Sequence, residues 1–138
     1  MSVAGTITLE GFDELDKLFD HLILKEAQNL NRAAVHAVAA EITKASKRNA
    51  PVDSGMMRKG IKTRRRRATD PNKPASEVVI EKKYFYWRFH EFGTKDQPAR
   101  PFFTPAINEI RGQIREIYKQ KLFEKLAQKI KRDAKKRR

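Results

Sequence analysis

The sequence predicts an α+β fold: a small, mostly antiparallel sheet packed by two long helices, with an extended hairpin arm and a basic C-terminal helix. Three observations carry this. Apolar residues recur at three and four positions before Pro51 and again after Pro105, the period of amphipathic helices. Between these stretches, the β-branched run Val78-Val79-Ile80 lies across a proline-rich turn from a basic run, the layout of a hairpin. Near the N-terminus, Thr6-Ile7-Thr8-Leu9 alternates polar and apolar, the period of a strand. Strands gathered beside long helices, rather than alternating with them, place the helices on one face of the sheet.

Each element has a local cause. Residues 5–10 form the first strand, with Ile7 and Leu9 on one side, and Gly11 stops it. Residues 12–49 are helical, from Phe12, Leu15, Leu18, Phe19, Leu22 and Ile23 to the alanine-rich stripe Leu30, Ala34, Ala37, Val38, Ile42 and Ala45, as one long helix or as two in series that break at about Leu24 to Gln28. Pro51 closes the helix, because its ring removes a donor and pushes the preceding residue out of the α region. A turn at Asp53-Ser54-Gly55 leads into a hairpin over 57–82, tipped by Thr69-Asp70-Pro71-Asn72-Lys73-Pro74. The aromatic segment 84–92 places Phe85, Phe89 and Phe92 on one helical face and ends at Gly93. Thr104-Pro105 serves as N-cap and first-turn proline of a helix over 104–134, marked by Ile107, Ile110, Ile114, Ile117, Tyr118, Leu122, Leu126 and Ile130. Residues 135–138 form a basic tail, and the whole chain reads as one domain.

Composition sets the outer limits. With 138 residues, 39% hydrophobic and 35% charged, the chain affords one thin core and much solvated or partner-facing surface. Its Lys+Arg count of 31 against 17 Asp+Glu gives a net charge of +14, which calls for acidic partners. The charge is uneven: residues 1–57 hold 6 basic and 8 acidic side chains, so the remaining 25 basic and 9 acidic ones make residues 58–138 +16. The excess is concentrated in Arg64, Arg65, Arg66 and Arg67 and in the C-terminal run that ends with Arg137 and Arg138. The absence of cysteine excludes disulfides and thiol chemistry. No stretch approaches about 18 uncharged apolar residues and no signal peptide opens the chain, so a soluble protein made in the cytoplasm, with no membrane partner, is expected.

Enzymatic signatures are weak. His21, His36 and His90 are scattered without metal-ligand spacing, and the 6 glycines form no phosphate loop, so no catalytic residue, cofactor or metal is assigned. Asp70 followed by Glu81-Lys82-Lys83 resembles the Asp…Glu-x-Lys core of metal-dependent nucleases, in which carboxylates hold Mg²⁺ and the lysine polarises water. That layout also arises by chance in so basic a chain. A small nucleic-acid-binding protein is the main alternative, its arginine run contacting phosphates and Tyr84, Tyr86 and Trp87 stacking bases. Aromatics at this density more often form core or subunit contacts.

Two patterns go further. Ala50-Pro51-Val52-Asp53-Ser54-Gly55-Met56-Met57-Arg58-Lys59-Gly60-Ile61 resembles the Ala-Pro-x-Asp/Arg-Thr/Ser-Gly-x-Leu-Arg-x-Ser-Ile signature of small tail-completion or neck proteins of long-tailed bacteriophages. Tyr84 to Phe92, then Gly93-Thr94 and Pro98-Ala99-Arg100-Pro101-Phe102-Phe103-Thr104-Pro105-Ala106, is similar to a second signature of that family. Here Met57 stands for the usual leucine and Gly60 for the usual serine. The motifs fit a scaffold: Pro51, Gly55, Gly93, Pro98 and Pro101 shape turns, and Arg100 is set to pair with a carboxylate, Glu91 of this chain or the next being the candidate.

The resemblance implies a virion structural protein of the head-tail junction that caps the tail and helps attach it to the DNA-filled head. It implies a ring of copies, a hexamer by the symmetry of tail tubes, touching head-connector and tail-tube or terminator proteins, with genomic DNA passing through the lumen. In this reading Tyr84, Tyr86, Trp87, Glu91, Arg100, Phe102 and Phe103 form the subunit or partner interface. The sheet edge joins them there. Arg64 to Arg67, Arg137 and Arg138 face partners, mostly acidic protein surfaces, because a strongly basic lumen would grip DNA that must slide.

Overall fold

A computed structural model describes residues 2–8, 24–51 and 55–136. The expected helical stretch 12–23, His21, the Asp53-Ser54 part of the turn, and Arg137 and Arg138 lie outside the described residues. The elements run in the order β1 (Ser2–Thr8), α1 (Leu24–Asn49), α2 (Met56–Lys59), β2 (Ile61–Arg66), β3 (Ala75–Ile80), a 3₁₀ turn (Lys82–Tyr84), α3 (Trp87–Phe92), α4 (Phe103–Arg111) and α5 (Ile114–Lys136). The class is α+β, with a three-stranded sheet of order β1-β3-β2 among the described residues, both pairs antiparallel, beside long helices.

The helix α1 is the spine. Its buried residues Leu30, Ala34, Val35, Val38, Ile42 and Ala45 repeat at three and four, and it packs against β2 and β3 and against α4 and α5. Alanines on this stripe let neighbouring elements come close, and Lys47 and Arg48 in its last turn complement the carbonyl end of the helix dipole. The helix is continuous from Leu24 to Asn49, and the junction with the expected stretch before Leu24 lies outside the described residues.

The hairpin lies along this spine. Ile61, Thr63 and Arg65 share one face of β2, opposite Ile80, Val78 and Ser76 of β3. That face meets α1: the Thr63 hydroxyl donates to Thr43 Oγ1 at 2.7 Å, and His36 Nδ1 lies 3.2 Å from Ser76 Oγ. Farther out, Gln28 Nε2 donates to Asn72 Oδ1 at 3.0 Å, so the polar tip folds back onto α1. On the opposite face Arg64 donates twice to buried Glu77, through Nη2 at 2.6 Å and Nε at 3.2 Å, and Arg66 lies 3.6 Å from the other Glu77 oxygen. β3 is the central strand and is buried from Ser76 to Ile80.

Several boundaries differ from expectation. The first strand pairs from Ser2 to Thr8 with an irregularity between Val3 and Gly5, because ladder hydrogen bonds need no apolar alternation; residues 9 and 10 lie outside the described residues. The hairpin's first three positions belong instead to the helical turn α2, entered through Gly55 at φ +68. The C-terminal helix is two helices: α4 ends at Gly112, where the Gln113 amide turns back to the Ile110 carbonyl at 2.8 Å before α5 starts. Glycine has poor helix propensity, and the apolar repeat continuing past it concealed the break. Residues 135 and 136 belong to α5 rather than to a separate tail.

Gly60 has a packing role. A Cβ there would run into the buried ring of Tyr84, and the Gly60 carbonyl accepts the Glu81 amide at 3.1 Å, closing the base of the hairpin. Ring and turn backbone are both fixed, so neither yields without cost. Gly60→Ala is expected to lower unfolding free energy by about 1–3 kcal/mol in chemical denaturation, the ordinary cost of overpacking. An unchanged midpoint would show that Tyr84 repacks freely.

Candidate functional site

Residues 82–104 form a continuous unit in which a buried acid holds an aromatic segment against the start of α4. Glu91 lies on α3 with 5% of its surface exposed. Its Oε2 accepts the amides of Phe102 and Phe103, both at 2.9 Å, and its Oε1 accepts the amide of Thr104 at 2.8 Å and the Thr104 hydroxyl at 2.6 Å. These are the donors that a helix start leaves unsatisfied, and an anion there also meets the positive end of the helix dipole. Thr104 is thus inside the first turn of α4, and the cap is supplied from another helix.

Burial is the largest influence on Glu91 and pushes its pKa up; the Thr104 hydroxyl and the amides of Phe103, Phe102 and Thr104 outweigh it and leave the carboxyl below its ordinary value. Arg100 does not pair with Glu91 within this chain, because those oxygens are occupied by α4. Arg100 is exposed and is held through its amide, which donates to the His90 carbonyl at 2.7 Å.

The loop between α3 and α4 is fastened at both ends. Gly93 takes φ +75, its amide donates to the Phe89 carbonyl at 2.9 Å, and a Cβ on it would meet the Ala99 nitrogen at 2.8 Å. The Thr94 amide donates to the Gln97 carbonyl at 2.9 Å, and the Thr94 hydroxyl accepts the Gln97 amide at 3.1 Å. Pro98 and Pro101 are exposed and stiffen the return to α4.

The aromatic residues divide into two faces. Tyr84, Trp87, Phe102 and Phe103 are buried in the core, so in the folded chain they build the scaffold and are not available to a partner; Tyr86 is half-buried. Phe85, Phe89 and Phe92 are 63%, 48% and 73% exposed. Phe85 packs edge-on against Phe89 at 6.2 Å and Tyr86 at 6.0 Å, and Tyr86 against the His90 ring at 6.2 Å. Trp87 continues the array to Phe92 at 6.4 Å, with the Arg88 guanidinium 5.5 Å from the Trp87 ring. Of the aromatics in this segment, Phe85, Phe89 and Phe92 form the outward ridge, while most of the aromatics expected at an interface, Tyr84, Trp87, Phe102 and Phe103, lie inside. Both 84/87/91 and 85/89/92 fit helical spacing, so periodicity alone leaves open which face is inside.

The nuclease-like residues do not assemble. Asp70 caps the hairpin tip, accepting the Asn72 amide at 2.9 Å, whereas Glu81 follows the far end of β3, whose six residues span roughly 20 Å. Glu81 pairs with Lys62 at 2.5 Å and Lys83 at 3.4 Å; the hydrogen bond from Lys62 leads the influences that hold its pKa low. Among the described residues no group of three or more His, Asp or Glu is placed to hold a metal ion. His36 is kept below its ordinary pKa by burial and then by the nearby Arg65.

Fold and surface together define a small basic α+β protomer whose ordered motifs build a scaffold and display a rigid aromatic ridge. Residues 13–93, more than half the chain, match the family model described as "Bacteriophage HK97-gp10, putative tail-component", and the chain belongs to this HK97 gp10-like family. Membership makes it a phage tail component, and so part of the virion. The match covers α1, the hairpin and the aromatic segment and stops at Gly93. No curated protein and no solved structure matched the chain. Among the described residues no helix is long and apolar enough to cross a membrane.

Replacing one carboxylate oxygen by an amide places a donor against donors. Glu91→Gln is expected to lower unfolding free energy by about 2–4 kcal/mol, read in urea denaturation. Because folding holds this carboxyl below its ordinary value, its contribution is fully present above about pH 4.3 and is lost as pH falls from there through the lower folded value. The wild type should therefore lose stability across that acid range more steeply than Glu91→Gln, and parallel profiles would remove Glu91 as the cause.

Proposed function

We propose that this tail component is a structural subunit of the head-tail junction, which completes the head-proximal end of the tail and helps join it to the DNA-filled head by assembly, not catalysis. The observation that carries the reading is the ridge of Phe85, Phe89 and Phe92, held rigid by the Glu91 clamp and left open in the single chain. Clustered aromatics on a fixed backbone are the usual anchors of protein interfaces, and membership in a tail-component family supplies the setting.

In this reading copies close into a ring, most simply a hexamer matching the tail tube, with each ridge seated on the next copy. Head-connector and tail-tube or terminator proteins flank the ring, and genomic DNA passes through its lumen. The subunit is made in the host cytoplasm and needs no cofactor. The sheet edge is a weaker contributor than the ridge, because exposed β2 carries Lys62, Arg64, Arg65 and Arg66, and two such edges would repel.

The test pairs a variant with particle imaging. Phe89→Asp combined with Phe92→Asp should leave the purified chain within about 0.5 kcal/mol of wild-type stability, as exposed positions do, yet exclude it from particles in a complementation assay. Tagged wild type should appear at the head-proximal end of the tail by labelled electron microscopy. Normal incorporation of the variant, or label elsewhere, would contradict the proposal.

A further inference from the structure

The arginine run divides by strand alternation. Arg64 and Arg66 turn toward Glu77. Arg65 and Arg67 are exposed and, with Arg32 from α1, have no carboxylate partner among the described residues. Arg32, Arg65, Arg66 and Arg67, with Pro71 and Pro74, line a hollow of about 360 Å³ that includes no acidic side chain. Folding thus gathers cations around a concavity at some electrostatic cost, which an anion would offset.

The geometry points to this cradle as a binding site for the phosphate backbone of a nucleic acid. Three features favour that ligand over an acidic protein surface. Its only other lining residue is Ala68, so it lacks the aromatic or large apolar anchor of a protein interface, and Phe85, Phe89 and Phe92 line none of the hollow. Nucleic-acid interfaces are instead polar and strongly positive, and guanidinium forks match phosphate oxygens in pairs. The cradle also continues: Arg65 is shared with a groove of about 500 Å³ between α1 and α5, where Lys44 and Lys121 pair with Glu41 and Glu124 and Lys125 adds a cation beyond those pairs. A track of this kind suits a linear polyanion.

The site is pre-organised, since Gln28 and Asn31 tie the hairpin tip to α1 through Asn72, and two prolines stiffen it. A basic surface concentrated in one cradle also differs from a uniformly basic lumen: it contacts a few phosphates and leaves the remainder free to move. The inference does not depend on the ring or on its position in the particle.

The test is fluorescence anisotropy of the full chain with a labelled 20-nucleotide single strand and its duplex, across a salt titration. Wild type should bind, with affinity falling linearly in log-log form as salt rises. Arg65→Ala combined with Arg67→Ala should reduce the duplex slope by about 1.8 and the affinity at 0.1 M salt by about 10- to 100-fold, as for two lost phosphate contacts. Lys82→Ala combined with Lys95→Ala removes the same charge elsewhere and should change affinity less than about threefold. Arg32→Gln, on the exposed side of α1, gives an independent reading if the hairpin variant fails to fold, with an expected loss of about 3- to 10-fold. Equal losses in the two double variants, an Arg32→Gln without effect, no wild-type binding at 0.1 M salt, or displacement of the DNA by equimolar polyglutamate would each overturn the assignment.

Discussion

The carboxylate of Glu91 is the contact on which the outer half of this structure depends. It accepts from three consecutive amides and one hydroxyl at the start of α4 while standing on α3, so it joins two helices that a ten-residue loop would otherwise leave independent. Each bond is charge-assisted, and those from the Phe102 and Phe103 amides are buried, the circumstance in which hydrogen bonds contribute most. With α3 fixed, Trp87 is sealed beneath it, and Phe85, Phe89 and Phe92 stand outward on a backbone that does not yield. The clamp therefore positions the surface without touching it.

The spine α1 organises the rest by a different means. Its alanine-rich stripe is narrow enough for the hairpin and the C-terminal helices to share one core, and its polar flanks hold the hairpin at Thr43, His36 and Gln28. Apolar and basic surfaces are consequently segregated, the aromatic ridge sharing no lining residue with the arginine cradle. Segregation lets one small protomer address two kinds of partner: a protein neighbour through the ridge and a polyanion through the cradle, as proposed.

Much of this was legible from residues alone, and the failures have physical causes. The helical spacing before Pro51, the β-branched run at Val78 to Ile80 and the polar tip between them were read in the right order because each is a local signal. The Glu91 clamp was not, since an acid that caps a helix 11 to 13 residues away leaves none of the short spacing of a local capping box. Sequence alone instead offers Arg100 a partner in Glu91 of this chain or the next, whereas within this chain the Glu91 oxygens hold α4. The helical face of Phe85, Phe89 and Phe92 is legible from spacing, but which face of the aromatic segment is buried is not, because that depends on packing between elements distant in sequence. Gly112 leaves no mark on the apolar pattern, because the isoleucines on either side keep the period.

The central claim is that the ridge is an assembly surface in the phage tail. The most direct measurement is an electron cryo-microscopy map of the intact particle at side-chain resolution around the head-proximal end of the tail. The account predicts a closed ring of this chain there, with Phe85, Phe89 and Phe92 covered by the adjacent copy and Glu91 still capping α4 within each protomer. A ring in which the three phenylalanines face solvent, or a particle that lacks the chain at that end, would contradict it.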